Sequence, residues 1–357
     1  MQIMIEQGNI RLSLLKENIP PLAYELVENH FQVESKSDKL FSFKTSSRFN
    51  IQNTIGGKKA KYILNIKLVN DLGYINKFFE CINEHLVVGG KFFLCSESAL
   101  QRRKRILNKY PVFINILVYS LDFIFNRVFP KLRLTKKLYF FVKGNRNRVF
   151  HEIEILGRLY SCGFRLIKKR KVSGVTYMVV EKVSEPTYSM EPTYGMFIKL
   201  NRVGKNGKRI KVRKLRSMYA YSEFIQEYVY ENYNLAEGGK LKRDPRVSVS
   251  GKIFRRFWVD ELPMIWNLLN GDLKIVGVRP LSAHYLSLYP EYAVEKRLST
   301  KPGLVPPFYF DMPKTFDEIV ESELRYIEAY KKSPILTDIK YFFKAFDNII
   351  FKGARSQ

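Results

Sequence analysis

The chain has 357 residues, 46% hydrophobic and 14% aromatic, which excludes a disordered polypeptide and leaves room for two domains, each with its own core. Its 61 lysines and arginines outweigh 34 acids to give a net charge of +27, so an anionic partner is expected: nucleic acid, an anionic bilayer or a phosphorylated substrate. Cys81, Cys95 and Cys162 are odd in number and lack metal-ligand spacing, so they read as buried thiols of a reducing compartment.

Residues 1–6 carry no basic start followed by a long apolar run, so no secretory signal is expected. Residues 12–33 have a helical period, restarted at Pro20-Pro21, and Gly56-Gly57 marks a loop. Residues 62–66 predict a strand. Residues 71–85 predict a helix with Ile75, Phe78, Phe79 and Ile82 on one face, and Gly89-Gly90 predicts a turn into a strand at 91–95. A helix over 151–162, a turn at Gly163-Phe164 and two strands ending at Val180 complete the pattern. Strands that alternate with helices in this way call for an α/β sheet.

No stretch reaches the ~18 uninterrupted apolar residues of a spanning helix. The nearest is 112–129, broken by Asn115, Asp122, Asn126 and Arg127. Asn115, Tyr119, Asp122 and Asn126 fall at helical spacing and form one polar stripe, with cations at 102–105 before the segment and at 131–137 after it. Such a rod suits the headgroup region of a membrane, and it equally suits the core of a soluble domain.

Residues 184–196 hold two prolines and a glycine without apolar period, so the boundary falls there: an α/β domain at 1–183, a linker at 184–196 and a second domain at 197–357. The second opens on Asn206-Gly207, a hairpin signal, between strands of alternating cations. Those cations suit phosphate on one face, or a solvated edge strand blunted by lysine. Further on, Lys242-Arg243-Asp244-Pro245-Arg246-Val247 leads to Arg255-Arg256 and then Asp260-Glu261-Leu262-Pro263. Asp260 could cap a helix over 264–270 that Gly271 stops, with Pro263 in the first turn. The same geometry would hold a carboxylate rigidly beside Arg255 and Arg256. Finally, Gly277-Val278-Arg279-Pro280 is a turn after a short apolar strand at 273–276, with an arginine fork suited to phosphate.

In order and wording these segments resemble the bacterial sugar transferase family, the monotopic phosphoglycosyl transferases. The resemblance rests on the hairpin at 202–207, Lys214-Leu215-Arg216-Ser217-Met218 and the motif from Asp244 to Gly251. It continues through Arg255-Arg256, Asp260-Glu261-Leu262-Pro263, residues 267–272 and Gly277 to Leu281, and it covers about 197–338. It implies a small α+β domain with short helices and a basic hairpin. It also implies that Asp260 is a nucleophile taking a phosphosugar from a UDP-sugar, and that Glu261 binds Mg²⁺. Lys214, Arg216, Arg255, Arg256 and Arg279 would then hold phosphates, with polyprenyl (undecaprenyl) phosphate as acceptor. The implied setting is surface-glycan synthesis on the cytoplasmic face of the bacterial inner membrane, alongside other glycan-assembly proteins. A nucleophilic acid among cations is what a diphosphate substrate requires.

The sequence departs from the family pattern at Val278, which replaces a proline and loosens the turn, at Lys301, and at Pro306-Pro307-Phe308-Tyr309-Phe310. The re-entrant membrane helix expected before the hairpin is missing from 184–196, which leaves 112–129 and 338–352 as candidate membrane contacts. Residues 71–95 and Gly163-Phe164 resemble the distal half of a class I methyltransferase, without the glycine-rich loop that would bind SAM. A catalytically inactive family member acting as a scaffold is the alternative. A SAM-dependent methyltransferase or a nucleic-acid binder is a third reading, although the clustering of cations around carboxylates and the lack of a nucleic-acid module argue against nucleic acid.

Overall fold

The computed structural model describes residues 12–31, 40–144, 146–188, 195–233 and 244–351. Residues 1–6, Val33, the linker core at 189–194, Lys242, Arg243 and Lys352 lie outside the described residues. The chain divides into two compact units. One comprises Met1–Tyr194 with Tyr219–Val229, and the other Gly195–Met218 with Tyr230–Gln357.

In the first unit, helices α1 (Leu12–Asn18) and α2 (Pro21–His30) precede β1 (Leu40–Phe43), α3 (Arg48–Ile55) and β2 (Ala60–Leu68). Then come α4 (Ile75–His85), β3 (Leu86–Ser96), α5 (Ala99–Lys109), α6 (Val112–Phe123), α7 (Arg133–Lys143) and α8 (Glu152–Ser161), closed by β4 (Phe164–Val172) and β5 (Val175–Lys182). The sheet order is β1-β2-β3-β5-β4. Strands β1 to β3 are parallel, β5 runs antiparallel to β3, and the β4–β5 hairpin folds back so that its second strand lies inside. This is the α/β sheet expected from the strand–helix alternation.

Residue parity explains the two buried faces. Tyr62, Leu64 and Ile66 point with Phe93, Tyr177 and Val179 into a core closed by Leu15, Ala23, Leu26 and Val27 of α1 and α2. On the other face Phe79 of α4 packs on Phe92, with ring centroids 6.2 Å apart, and Phe92 packs on Phe164 at 6.0 Å. Two predicted boundaries shift. α4 starts at Ile75, because Val69–Asp71 form a 3₁₀ turn and Tyr74 has non-helical dihedrals. Gly89-Gly90 lies within β3, where pairing with β2 skips from Leu86 to Lys91. All three cysteines are free and buried, and burial pushes their thiols up, Cys81 to about 11 and Cys95 and Cys162 to about 12.

The first unit also takes in 219–229, which the sequence patterning did not separate from its surroundings. His151 stacks on Tyr219 at 4.1 Å, and Arg158 lies over the Tyr221 ring at 4.4 Å. This segment ends in α9 (Gln226–Asn232).

The second unit is α+β. The antiparallel hairpin β6 (Phe197–Val203) and β7 (Arg209–Leu215) is followed by α10 (Val249–Arg256), a 3₁₀ turn at Val259–Met264 and α11 (Ile265–Leu269). Next come β8 (Lys274–Val276), α12 (Ala283–Leu286), α13 (Glu291–Leu298), β9 (Gly303–Val305), α14 (Phe308–Asp311), α15 (Phe316–Lys332) and α16 (Pro334–Phe351). β8 and β9 pair in parallel, and Tyr326 of α15 is fully buried under them, its hydroxyl donating to the Val276 carbonyl at 2.9 Å. The long helices carry the core, while the hairpin and the short helices between α10 and β8 carry the chemistry-bearing residues.

Candidate active site

The hairpin turn is built as the sequence implies. Lys208 N–H donates to the Lys205 carbonyl at 3.1 Å, and Asn206 and Gly207 both take positive φ, 55° and 75°. Along β7, Ile210 and Val212 are buried against Met264 and Leu273. Arg209 and Lys211 alternate with them on the exposed side. The alternating row that suggested a phosphate face therefore points away from the acids. Lys214 shares the parity of Ile210 and Val212, so it faces the acid-bearing turn, and its Nζ meets Glu261 Oε1 at 2.6 Å.

Ser217 joins the end of the hairpin to α10, a role the sequence did not signal. Its carbonyl accepts from Ser248 N–H at 3.0 Å, and its hydroxyl accepts from Arg255 Nε at 2.9 Å. Ser248 also caps α10 by accepting from Gly251 N–H at 2.9 Å. The approach is so close that a Cβ on Gly251 would sit 1.8 Å from the Ser217 carbonyl oxygen, so the helix can dock there only with glycine. Before the cap, Asp244 and Arg246 form a two-pronged ion pair, with Nη2 to Oδ2 at 2.8 Å and Nε to Oδ1 at 3.0 Å.

After α10 the chain turns at Trp258, whose φ is +60°, and enters the 3₁₀ turn. The expected cap is corrected here: Asp260 lies inside the 3₁₀ turn, whose cap position is Trp258. Pro263 is tolerated because the helix is only starting, and Gly271 ends it as expected, its N–H donating to the Leu268 carbonyl. Asn267 fastens this helix to the hairpin. Its Oδ1 accepts from Arg213 N–H at 3.0 Å, and its Nδ2 donates to the Lys211 carbonyl at 2.9 Å. Behind the turn, Trp258 rests on Tyr309 at 4.7 Å, so the divergent Pro306-to-Phe310 segment supports the acid-bearing loop from below.

Asp260 is half-buried, and burial pushes its pKa above the usual aspartate value. Lys214 and Arg255 pull it down, and Glu261 beside it pushes it up. The structure thus brings Asp260, Glu261, Lys214 and Arg255 together. Arg256 is exposed, with its guanidinium over Phe257. Arg216 donates Nε to the Gly195 carbonyl at 2.9 Å. Arg279 sits near Arg202, a residue of the hairpin motif not singled out as a site residue, and burial together with Arg279 lowers the Arg202 pKa. The turn bearing Arg279 is firm, contrary to the loosening expected from Val278. Val278 is buried and its carbonyl accepts from Gly303 N–H at 2.9 Å, while Arg297 Nη2 donates to the Arg279 carbonyl at 2.6 Å.

No group of three or more His, Cys, Asp or Glu side chains is placed to hold a metal among the described residues. Two adjacent carboxylates, one of them held at a single oxygen by Lys214, fit Mg²⁺, which takes one or two protein carboxylates and fills its shell with phosphate and water.

The arrangement is a half-buried acid between cations, carried on a proline-bearing turn and braced by a basic hairpin. Residues 179–352 match the family model described as bacterial sugar transferase. The galactosyl transferase CpsE of Streptococcus agalactiae serotype III (strain NEM316) is 35% identical over 144 residues, 39% of this chain and 31% of CpsE. The exopolysaccharide production protein ExoY of Sinorhizobium fredii is 37% identical over 110 residues, 29% of this chain and 47% of ExoY. The undecaprenyl-phosphate galactose phosphotransferase of Salmonella typhimurium is 36% identical over 108 residues, 29% of this chain and 22% of that protein. The chain thus spans less than half the length of each of these three relatives. An O-methyltransferase family protein from Burkholderia thailandensis overlaps 46% of this chain and 47% of its own at 12% identity and a TM-score of 0.25, too slight a likeness to bear on function.

Proposed function

We propose that this chain is a phosphoglycosyl transferase, moving a phosphosugar from a UDP-sugar to polyprenyl phosphate and so starting a surface polysaccharide. The observation that carries the reading is Asp260, partly desolvated and held near Lys214 and Arg255. An Asp260 carboxylate oxygen attacks the sugar-bearing phosphorus, and the bond to the bridging oxygen breaks, releasing UMP. A phosphate oxygen of the polyprenyl phosphate then attacks the same phosphorus and displaces the carboxylate, leaving a diphosphate-linked sugar. Lys214 and Arg255 offset the phosphate charge that would repel an incoming carboxylate, and Arg279 with Arg202 offers a second cationic point for an anionic oxygen. Mg²⁺ held by Glu261 would neutralise charge on the diphosphate.

Exposed apolar side chains beside the site support a lipid acceptor. Val249, Ile253 and Phe257 repeat every fourth residue along α10, and Leu262, Ile265 and Trp266 follow. α16 also exposes apolar side chains. It buries Thr337, Tyr341, Ala345 and Asn348 while exposing Ile339, Phe343, Phe346 and Ile350. The donor and the lipid would meet at the cytoplasmic face of the inner membrane.

The test is intact-mass analysis of the detergent-solubilised chain with UDP-sugars and Mg²⁺, beside Asp260→Asn. A phosphosugar adduct on the unaltered chain alone, with UMP release, is the expected result and names the sugar. A folded, lipid-bound chain that forms no adduct with any donor overturns the reading in favour of a non-catalytic scaffold.

A further inference from the structure

The first unit carries an apolar surface that the transfer chemistry does not use. Helix α6 continues through a π turn (Ile124–Val128) and a 3₁₀ turn (Phe129–Lys131), and Val112–Lys131 is long and apolar enough to cross a bilayer. The structure shows why it does not stand free as a spanning helix: Asn115, Asp122 and Arg127 fasten it to the unit. Asn115 Nδ2 donates to the Leu107 carbonyl at 3.0 Å, and Asp122 receives both Nε and Nη2 of the buried Arg102, at 2.6 and 2.5 Å. Asn126 Nδ2 donates to Asp122 Oδ1 at 2.9 Å, and Arg127 pairs with the buried Glu154 at 2.5 Å. Polar residues that would be intolerable in hydrocarbon are therefore bonded inward, and the helix is pinned along its length.

Its opposite side is apolar and exposed, with Phe113 at 90% exposure. α7 carries a second exposed apolar face. Leu134, Leu138 and Phe141 recur at helical spacing, Leu134 at 95% and Phe141 at 88% exposure, while Tyr139 turns inward and its hydroxyl donates to the Arg146 carbonyl. Charge selects the occupant. Between Ala99 and Gly144 the sequence holds eleven lysines and arginines and a single acid, Asp122, which Arg102 already pairs. Exposed Arg103, Lys104, Lys109, Lys137 and Lys143 accompany the apolar side chains. A second copy of this surface would meet like charge, and nucleic acid would leave the phenylalanines in water. Hydrocarbon beneath a layer of anionic headgroups satisfies both features.

We propose that α6 and α7 form a paddle that lies in the headgroup layer of an anionic membrane, parallel to its plane and without crossing it. The paddle holds the first unit to lipid by a surface independent of the Asp260 site.

The test uses the full chain with a single polarity-sensitive label at Phe113→Cys, Leu134→Cys or Phe141→Cys, and at Tyr74→Cys as a control exposed elsewhere in the same unit. The native cysteines are buried with raised thiol pKa values, so the added ones react first. On vesicles of phosphatidylcholine with phosphatidylglycerol, the three paddle labels should be quenched by lipids bearing the quencher near the headgroup, and Tyr74→Cys should not. On pure phosphatidylcholine, or with Phe113→Glu and Phe141→Glu combined, quenching at Leu134→Cys should need at least about tenfold more lipid. Paddle labels that stay in water while the chain is vesicle-bound overturn the proposal. So does quenching strongest at the bilayer midplane, which means a span, and so does a label shift without lipid that tracks dimer formation. The phosphosugar adduct on Asp260 is a separate readout, so failure here leaves that reading standing.

Discussion

Glu154 of the first unit and Asp260 of the second are both acids withdrawn from water among cations, but they are settled differently. In the first, Glu154 is fully buried and closed on both oxygens, by Arg127 at 2.5 Å and by Arg158 at 3.3 Å. Arg158 spends its remaining reach on Asn76 and on the rings of Phe150 and Tyr221. That network joins the segment after α6, α8 and the returning 219–229 strip, and its acid is driven well below the usual glutamate range. In the second unit Asp260 is only half-buried, its pKa is pushed up, and the cations around it are partly exposed. A charge closed on all sides fixes a fold. A charge held part-desolvated among cations with an open side can exchange one partner for another, as a transferase requires. The chemistry is therefore expected from the second unit alone, although the first buries more charge.

The largest expected effect breaks the first network. Glu154→Gln keeps the shape but leaves Arg127 and Arg158 buried without a counter-charge, which should cost about 3–5 kcal/mol. Urea unfolding should show an early transition of the first unit, while the Asp260 adduct still forms in protein kept folded. Loss of the adduct with no change in the unfolding curve would reverse the assignment of roles.

Next is Lys214→Met, which should leave the unfolding curve nearly unchanged and slow adduct formation about a hundredfold. The sign of its pH effect is fixed. Lys214 favours the ionised form of Asp260, so removing it raises the Asp260 pKa further and moves the acid limb of the rate to higher pH. A limb that stays put or moves to lower pH would mean that another group sets it.

The same contrast decides what could be read from the sequence. Strands β2, β3 and β5 and the polar stripe of α6 were legible because period and burial are local. Asn115, Asp122 and Asn126 fall at helical spacing; Asn115 and Asp122 bond to α5, and Asn126 bonds to Asp122. The order of the motif segments around Asp260 was legible too. What bolts them together was not. Ser217, Asn267 and Arg202 lie inside the motif segments, but they act on residues tens of positions away, and the sequence does not show which. The inward face of the hairpin was left open for a related reason: alternating cations on a strand stand out in a sequence, but Lys214 shares the parity of Ile210 and Val212, and only the packing of Met264 shows which face is inward. Asp260 resembled a cap because a Pro three residues on fits one, while the start of the turn is shifted by the positive φ at Trp258, whose ring packs on Tyr309.

The smallest effect tests whether the first unit's charges are purely structural. Burial and Arg127 hold His151 neutral, with its pKa pulled down to about 4 from an ordinary 6.5. A histidine that binds its proton less readily when folded contributes stability that is fully present above about pH 6.5 and is withdrawn as pH falls towards 4. Between about pH 7.5 and 5.5 the first unit should therefore lose about 1 kcal/mol to this group. His151→Phe preserves the stack on Tyr219 and removes the proton site, so its unfolding midpoint should be flatter over that window than that of the unaltered chain. Because Glu154 titrates well below this range, the two groups do not overlap. A midpoint with the same pH slope in both proteins would place the titrating group elsewhere, while a slope that moves together with the adduct rate would tie this buried network to the chemistry after all.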